Sequence, residues 1–304
     1  MDHYQPQRKP ITTAFLSRSV YHFECNAVIA ALERSLKTTG LNPTGLMIVG
    51  DSGLGKSTAL RLFEQRFSRP ATETHSYKTV ANVVTPVDAS VKSLCSALLK
   101  VLGCPTPDRG TANSMFTRIT TLIHELDTKI IIFDEIQHLT ERNAQKKTRP
   151  VINLVKNLMT ETNCPVVLVG MPDATELLSM DPQLARRFSK SVTLKPFSMT
   201  DELITEEYTA YDLYVSFLHS IASFMPIKTI NLIDPNVARR LLAASRGKIS
   251  IIIKILEFVI ENSLDGKKAT LLDFSTAFRD IADHDISHCP FLITSNQLEK
   301  WYFS

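Results

Sequence analysis

Gly50-Asp51-Ser52-Gly53-Leu54-Gly55-Lys56-Ser57 follows directly on the apolar run Leu46-Met47-Ile48-Val49, and from Lys56 to Phe67 the apolar residues recur at helical spacing. Strand, glycine-rich turn and helix thus occur in the order that a phosphate cradle requires. The glycines let backbone N–H groups converge on a β-phosphate without interference from Cβ atoms. Lys56 reaches the β and γ oxygens, Ser57 offers its hydroxyl to Mg²⁺, and the helix beginning there points its positive end at the anion. Gly50 through Ser57, together with Thr58, are therefore the expected nucleotide-binding residues, with ATP and Mg²⁺ as the expected ligands. A plain flexible glycine turn is the competing reading; the flanking strand, the helix and an acidic pair further on argue against it.

Further apolar runs of strand length lie at Ala81–Val87, Ile130–Phe133, Val166–Val169 and Val192–Leu194. Between them Val91–Leu102, Ala112–Leu126, Pro150–Thr160 and a short pair near Ala174–Leu178 and Pro182–Phe188 have helical spacing. The alternation predicts an α/β fold with a parallel five-stranded sheet between helices. After Pro196 strand-like runs cease, and Asp201–Ile221, Asp234–Ser245, Ser250–Ser263 and Leu272–Ile281 read as helices. The expected organisation is a nucleotide-binding α/β body with an N-terminal extension over residues 1–200, a helical subdomain over 201–282, and a tail over 283–304.

The 304 residues are 44% hydrophobic and 21% charged, as in a folded globular protein, and a net charge of +3 permits a polyanionic partner without demanding one. Cys25, Cys95, Cys104, Cys164 and Cys289 are odd in number, widely spaced and lack a C-x-x-C pair. That pattern disfavours a disulfide framework or zinc site and favours a reducing, cytoplasmic setting. The N-terminus shows no basic leader followed by an apolar core, and the greasiest stretch, Ile249–Ile260, is short and carries Lys254 and Glu257. No membrane partner is expected.

Lys129-Ile130-Ile131-Ile132-Phe133-Asp134-Glu135 is an apolar strand ending in two carboxylates, where a P-loop sheet delivers an acid to the Mg²⁺ side of the γ-phosphate. Asp134 is the expected metal residue beside Ser57, and Glu135 suits a general base for the attacking water; alone, the pair would equally suit a helix N-cap. The run Pro165–Gly170 ends near the γ-phosphate in such a sheet, yet Met171 follows it, so a polar sensor there would have to come from Asp173 or a backbone group. In Leu184-Ala185-Arg186-Arg187-Phe188, Arg187 is the first choice and Arg186 the alternate for an arginine reaching a neighbouring subunit's γ-phosphate; solvated helix-end arginines are the alternative. Lys92, Lys100, Arg109, Lys146, Lys147 and Arg149 could meet a phosphate backbone, and Lys146-Lys147-Thr148-Arg149 equally reads as a solvated loop. No aromatic residues interleave that cluster, so base stacking is not expected.

The ordered set Gly50–Ser57, Asp134-Glu135, Val166–Gly170 and Arg186-Arg187, followed by helices, resembles an AAA+ ATPase with a C-terminal helical lid. Leu46–Gly53, Pro107-Asp108-Arg109-Gly110-Thr111, Phe133-Asp134-Glu135-Ile136-Gln137-His138-Leu139, Val166–Pro172 and Leu184–Phe188 resemble more narrowly the TnsC/TniB transposition ATPases, over about residues 10–280. The resemblance implies ATP-dependent oligomerisation into rings or helical filaments around double-stranded DNA, which present a target site to a transposase. It further implies a sequence-independent grip on the duplex backbone at positions matching Lys92 and Arg109-Gly110-Thr111, and partnership with a target-selection protein. Lys92 also reads as an ordinary exposed lysine and Thr111 as a helix N-cap.

Two departures stand out: Met171 replaces a polar residue after the sensor strand, and Ser250 occupies the lid position where many relatives carry a nucleotide-sensing arginine, with Arg246 or Lys248 as substitutes. Slow, regulatory hydrolysis is the expectation. Pro290-Phe291 and Trp301-Tyr302-Phe303 read either as anchors for a partner or as packing back on the lid. The rival assignments are a replication-initiator or helicase-loader ATPase and a secretion-associated ATPase.

Overall fold

The computed structural model describes residues 8–18, 22–87, 89–139, 145–281 and 288–303, with the side chains of 145–147 and 301 outside the description. Two compact units emerge: Glu24–Lys195, and a second that joins the chain up to Phe23 with everything described from Pro196 onward. The chain begins with α1 (Pro10–Ser17), which belongs to the second unit, and α2 (Phe23–Leu36). There follow β1 (Leu46–Val49), α3 (Lys56–Arg66), β2 (Val80–Val84), α4 (Val91–Val101), α5 (Ala112–Glu125), β3 (Ile130–Asp134) and α6 (Gln145–Thr162). β4 (Val166–Gly170), α7 (Glu176–Met180), α8 (Pro182–Arg187) and β5 (Lys190–Thr193) complete the first unit.

All four strand pairings are parallel and the order is β2-β3-β4-β1-β5. Side chains on a strand alternate between faces, and here the alternation fills two cores. Met47, Val49, Ile131, Phe133, Val166 and Leu168 point into one with α4, α5 and α6. Leu46, Ile48, Ile130, Ile132, Val167 and Val169 point into the other with α2 and α3. Near-continuous apolar runs on β1, β3 and β4 follow from burial on both faces. Placing β1 between β4 and β5 makes the crossover that opens the C-terminal edge of the sheet between β1 and its neighbours, where such sheets bind ligands.

Many helices match their sequence readings closely; α1 and α2 had no such reading, and three further differences stand out. Pro150, expected to open a helix, lies inside α6, which begins at Gln145. The stretch from Asp201 is not helical: Ile204 N–H donates to Tyr208 O at 3.0 Å, and the helix α9 (Ala210–Ala222) starts only at the capping box of Thr209 and Asp212. The tail contains a helix, α13 (Ser295–Tyr302), opened by a second capping box of Thr294 and Gln297.

The second unit packs α1, α9, α10 (Pro235–Ser245), α11 (Ile249–Glu261), α12 (Leu271–Ile281) and α13 around an apolar core. The N-terminal extension was expected with the α/β body, but its helix α1 belongs here: Phe15 is buried in the helical core and Lys9 N–H donates to Glu261 Oε1 at 3.0 Å. The described tail residues also pack here. Phe291 is 2% exposed, and the buried guanidinium of Arg240 donates to Pro290 O and, at 2.8 Å, to Ile293 O. An apolar anchor already seated in a core is not free for a partner, so packing is the structure's choice for Phe291. Among the described residues no helix is long and apolar enough to cross a membrane.

Candidate nucleotide site

The loop between β1 and α3 is shaped by its glycines. Gly53 and Gly55 hold φ of 84° and 94°, the left-handed region that penalises a Cβ, while Leu54 between them is buried and anchors the loop to the core. The turn ends at Gly55 as the N-cap of α3, so Lys56 and Ser57 occupy the first helical positions. Lys56 is 8% exposed, and its Nζ donates to Gly50 O and, at 2.9 Å, to Asp51 O. Burial pushes its pKa down, while the charges of Asp134, Glu135 and Asp51 act against that shift.

β3 delivers its terminal acid to this loop: Ser57 Oγ donates to Asp134 Oδ2 at 3.1 Å. Asp134 is buried, which raises its pKa; the Glu135 charge adds to the rise, and donors from Glu135 N–H and Ser57 with the charge of Lys56 oppose it. A hydroxyl and a carboxylate are hard oxygen donors of the kind Mg²⁺ takes when phosphates and water complete its shell. Among the described residues no group of three or more His, Cys, Asp or Glu could hold a metal. Glu135 turns the chain at φ 57°, left-handed and unfavourable for a side-chain-bearing residue. Its carboxylate accepts from Gln137 Nε2, and Gln137 Oε1 accepts from Met171 N–H at 3.2 Å. Sequence reasoning passed over Gln137 as a site residue; the only signal was a glutamine two positions beyond the acid.

The two arginines ending α8 part company. Arg187 is half-buried and turns back on α6, donating to Thr160 Oγ1 at 3.2 Å and Lys156 O at 3.5 Å, whereas Arg186 is exposed. α8 itself is held by Asp181, which caps it through Leu184 N–H at 2.8 Å and pairs with Lys156 at 2.8 Å. Lys92 is exposed in the first turn of α4, behind the Ser90 and Ser93 capping box. Ser96, one turn on and on the same face, donates to Asp108, the neighbour of exposed Arg109. Lys92 and the Arg109-Gly110-Thr111 turn thereby share one side of α4. Thr111 caps α5, accepting from Ser114 N–H at 3.3 Å. Arg149 is exposed, and the side chains of Lys146 and Lys147 lie outside the described residues. In the helical unit Arg246 ends α10 with φ 50°, Lys248 is the N-cap of α11, and Ser250 sits in its first turn.

The parallel sheet, the glycine loop and the acid-tipped strand beside it define the AAA+ class of P-loop proteins. Among solved structures the fold is similar to Cdc6p from Pyrobaculum aerophilum, with a TM-score of 0.62 at 15% identity over 94% of this chain and 71% of that one. It is also similar to the Aeropyrum pernix ORC1 protein, solved in complex with DNA, with a TM-score of 0.59 at 19% identity over 89% and 68%. The Aeropyrum pernix ORC2 protein, solved as ADPNP–ADP complexes, gives a TM-score of 0.61 at 14% identity over 98% and 73%. At these identities the likeness shows the fold alone. The chain belongs to the TniB family: the family described as Bacterial TniB protein matches residues 12–199. No curated protein matches it.

Proposed function

We propose that this protein is an ATP-hydrolysing regulator of DNA transposition that assembles with ATP on double-stranded DNA and links target selection to a transposase. The observation that carries the reading is the contact of Ser57 with Asp134, which joins the phosphate loop to the acid-tipped strand in a chain of the TniB family. Gly50–Thr58 hold the triphosphate, with backbone N–H groups on the phosphates and Lys56 released from Gly50 O and Asp51 O to the γ-phosphate side. Ser57 and Asp134 would hold Mg²⁺, which would supply neutralisation of phosphate charge when bound. Glu135 accepts a proton from water as the water oxygen bonds to the γ-phosphorus and the bond from that phosphorus to the bridging oxygen breaks, leaving ADP and phosphate.

A neighbouring subunit supplies an arginine to the developing charge. Exposure favours Arg186 for this role, since Arg187 is engaged on α6 of its own chain. Lys92, Arg109 and Thr111, gathered on one side of α4, grip the duplex backbone without reading bases, with Arg149, Lys146 and Lys147 as further backbone contacts. The likeness of fold to Cdc6p and to an ORC1 protein solved with DNA keeps a replication-initiator role as the second reading, against which the TniB match over residues 12–199 weighs. Electron microscopy of the purified protein with ATP and a random duplex tests the proposal: rings or filaments that need both ligands are expected, and particles that remain single with both present would reject it.

A further inference from the structure

β4 ends at Gly170 and Met171 follows it, an apolar side chain where a polar one would face the γ-phosphate end of the sheet. The structure brings a polar group there from a different element. Gln137, in the 3-10 turn Ile136–Leu139, lays its carboxamide across the exits of β3 and β4, donating to Glu135 Oε2 and accepting from Met171 N–H at 3.2 Å. Gly170 makes the room: a Cβ there would stand 2.8 Å from Gln137 Oε1 and 2.9 Å from Ile136 Cγ2.

The peptide group that donates to Gln137 through Met171 N–H also accepts, through Gly170 O, from Gly50 N–H at 3.2 Å. Gly50 O in turn accepts from Lys56 Nζ. A single run of hydrogen bonds therefore leads from the Glu135 carboxylate, through one carboxamide and one peptide, to the loop that carries the phosphate-binding lysine. Groups linked in this way polarise and orient one another.

We infer that Gln137 is a positioning residue for hydrolysis, holding the Glu135 carboxylate toward the attacking water and tying that orientation to the phosphate loop through the Gly170–Met171 peptide. The inference rests on the reading of Glu135 as the base. The terminal torsion of a glutamate is soft, so an untethered carboxylate turns freely. A donor on Oε2 removes that freedom and leaves Oε1 to accept the proton. Glu135 also sits on left-handed backbone, a conformation that persists only where its surroundings hold it.

The test compares wild type with Gln137→Met, which keeps the length of the side chain and deletes both hydrogen bonds, with Gly170→Ala, which displaces the carboxamide, and with the double variant. Affinity for a non-hydrolysable ATP analogue, kcat at saturating ATP with duplex DNA, and cooperative melting are measured for each. Gln137→Met is expected to lower kcat about 10- to 100-fold while analogue affinity stays within about twofold, because a misplaced base costs chemistry and not binding. Gly170→Ala is expected to give the same split, and the double variant to lose no more than the worse single one, as for two changes that break one contact. Wild-type kcat in Gln137→Met, or losses that multiply in the double variant, would overturn the inference. If Gln137→Met does not melt cooperatively, Gly170→Ala decides alone, with unchanged kcat overturning it. A wild-type protein that neither binds the analogue nor turns over ATP would bring down the proposed function and this inference together, whereas an active wild type with an indifferent Gln137→Met removes only the inference.

Discussion

Ser57 Oγ lies 3.1 Å from Asp134 Oδ2, so the end of the phosphate loop touches the end of β3 across 77 positions of chain. Burial gives the two charged groups at this junction a shared electrostatic state. Lys56 and Asp134 are both buried, and burial shifts each toward its neutral form, the lysine down and the aspartate up. A triphosphate with its Mg²⁺ brings the charges that each lacks, an anion for the lysine and a cation for the carboxylate. The site is thus electrostatically prepared for that pair of ligands.

Glu135→Gln removes the proton acceptor and leaves the phosphate loop and Asp134 intact. ATP affinity is expected to stay near wild type, and turnover to fall roughly 100-fold or more, the usual contribution of a positioned base. Steady-state hydrolysis at the wild-type rate would sink the assignment of the base.

Arg186→Ala is expected to spare nucleotide binding and reduce turnover on DNA by about 1,000-fold, the scale of a missing arginine finger. Mixing Arg186→Ala with Glu135→Gln protomers should restore part of the activity, because the second supplies the arginine and the first retains the base. Arg187→Ala should instead loosen the contact of α8 with α6 and show itself in melting. Full activity in Arg186→Ala and none in Arg187→Ala would reverse the choice.

Lys92→Ala should weaken binding to duplexes of any sequence by a similar factor, and reduce the slope of log affinity against log salt by about 1. An unchanged slope would take Lys92 out of the proposed grip; a loss confined to particular sequences would mean that it reads bases.

His22 gives the helical unit a pH dependence. It is 7% exposed beside Phe197 and Phe217, and burial lowers its pKa from 6.5 to about 4. Below 6.5 the unfolded chain binds a proton that the folded one refuses until about pH 4. Stability is therefore full above 6.5 and falls as the pH drops between those values, by up to roughly 3 kcal/mol for this one group. Denaturant unfolding at pH 7 and pH 5 should show the loss, and His22→Phe should shrink it; an equal loss in both proteins would assign the effect to other groups.

The strand, glycine turn and helix from Leu46 to Arg66, the strand tipped by Asp134 with Glu135 after it, and the alternation that makes five parallel strands were all legible in contiguous residues. Periodicity and turn chemistry are local properties, and the parallel α/β sheet follows from them, whereas the family was carried by the motif residues themselves. Helix starts were less legible where a side-chain cap several residues inside the expected span decided them, as Thr209 and Asp212 do for α9. The chain order alone also could not say that Phe15 and Phe291, at opposite ends, share the core of the helical unit, that Arg187 turns inward while Arg186 stays outside, or that Gln137 bridges Glu135 to the Met171 amide. Each of these depends on distances between segments remote in sequence, which exist only once packing within each unit has fixed where its elements lie.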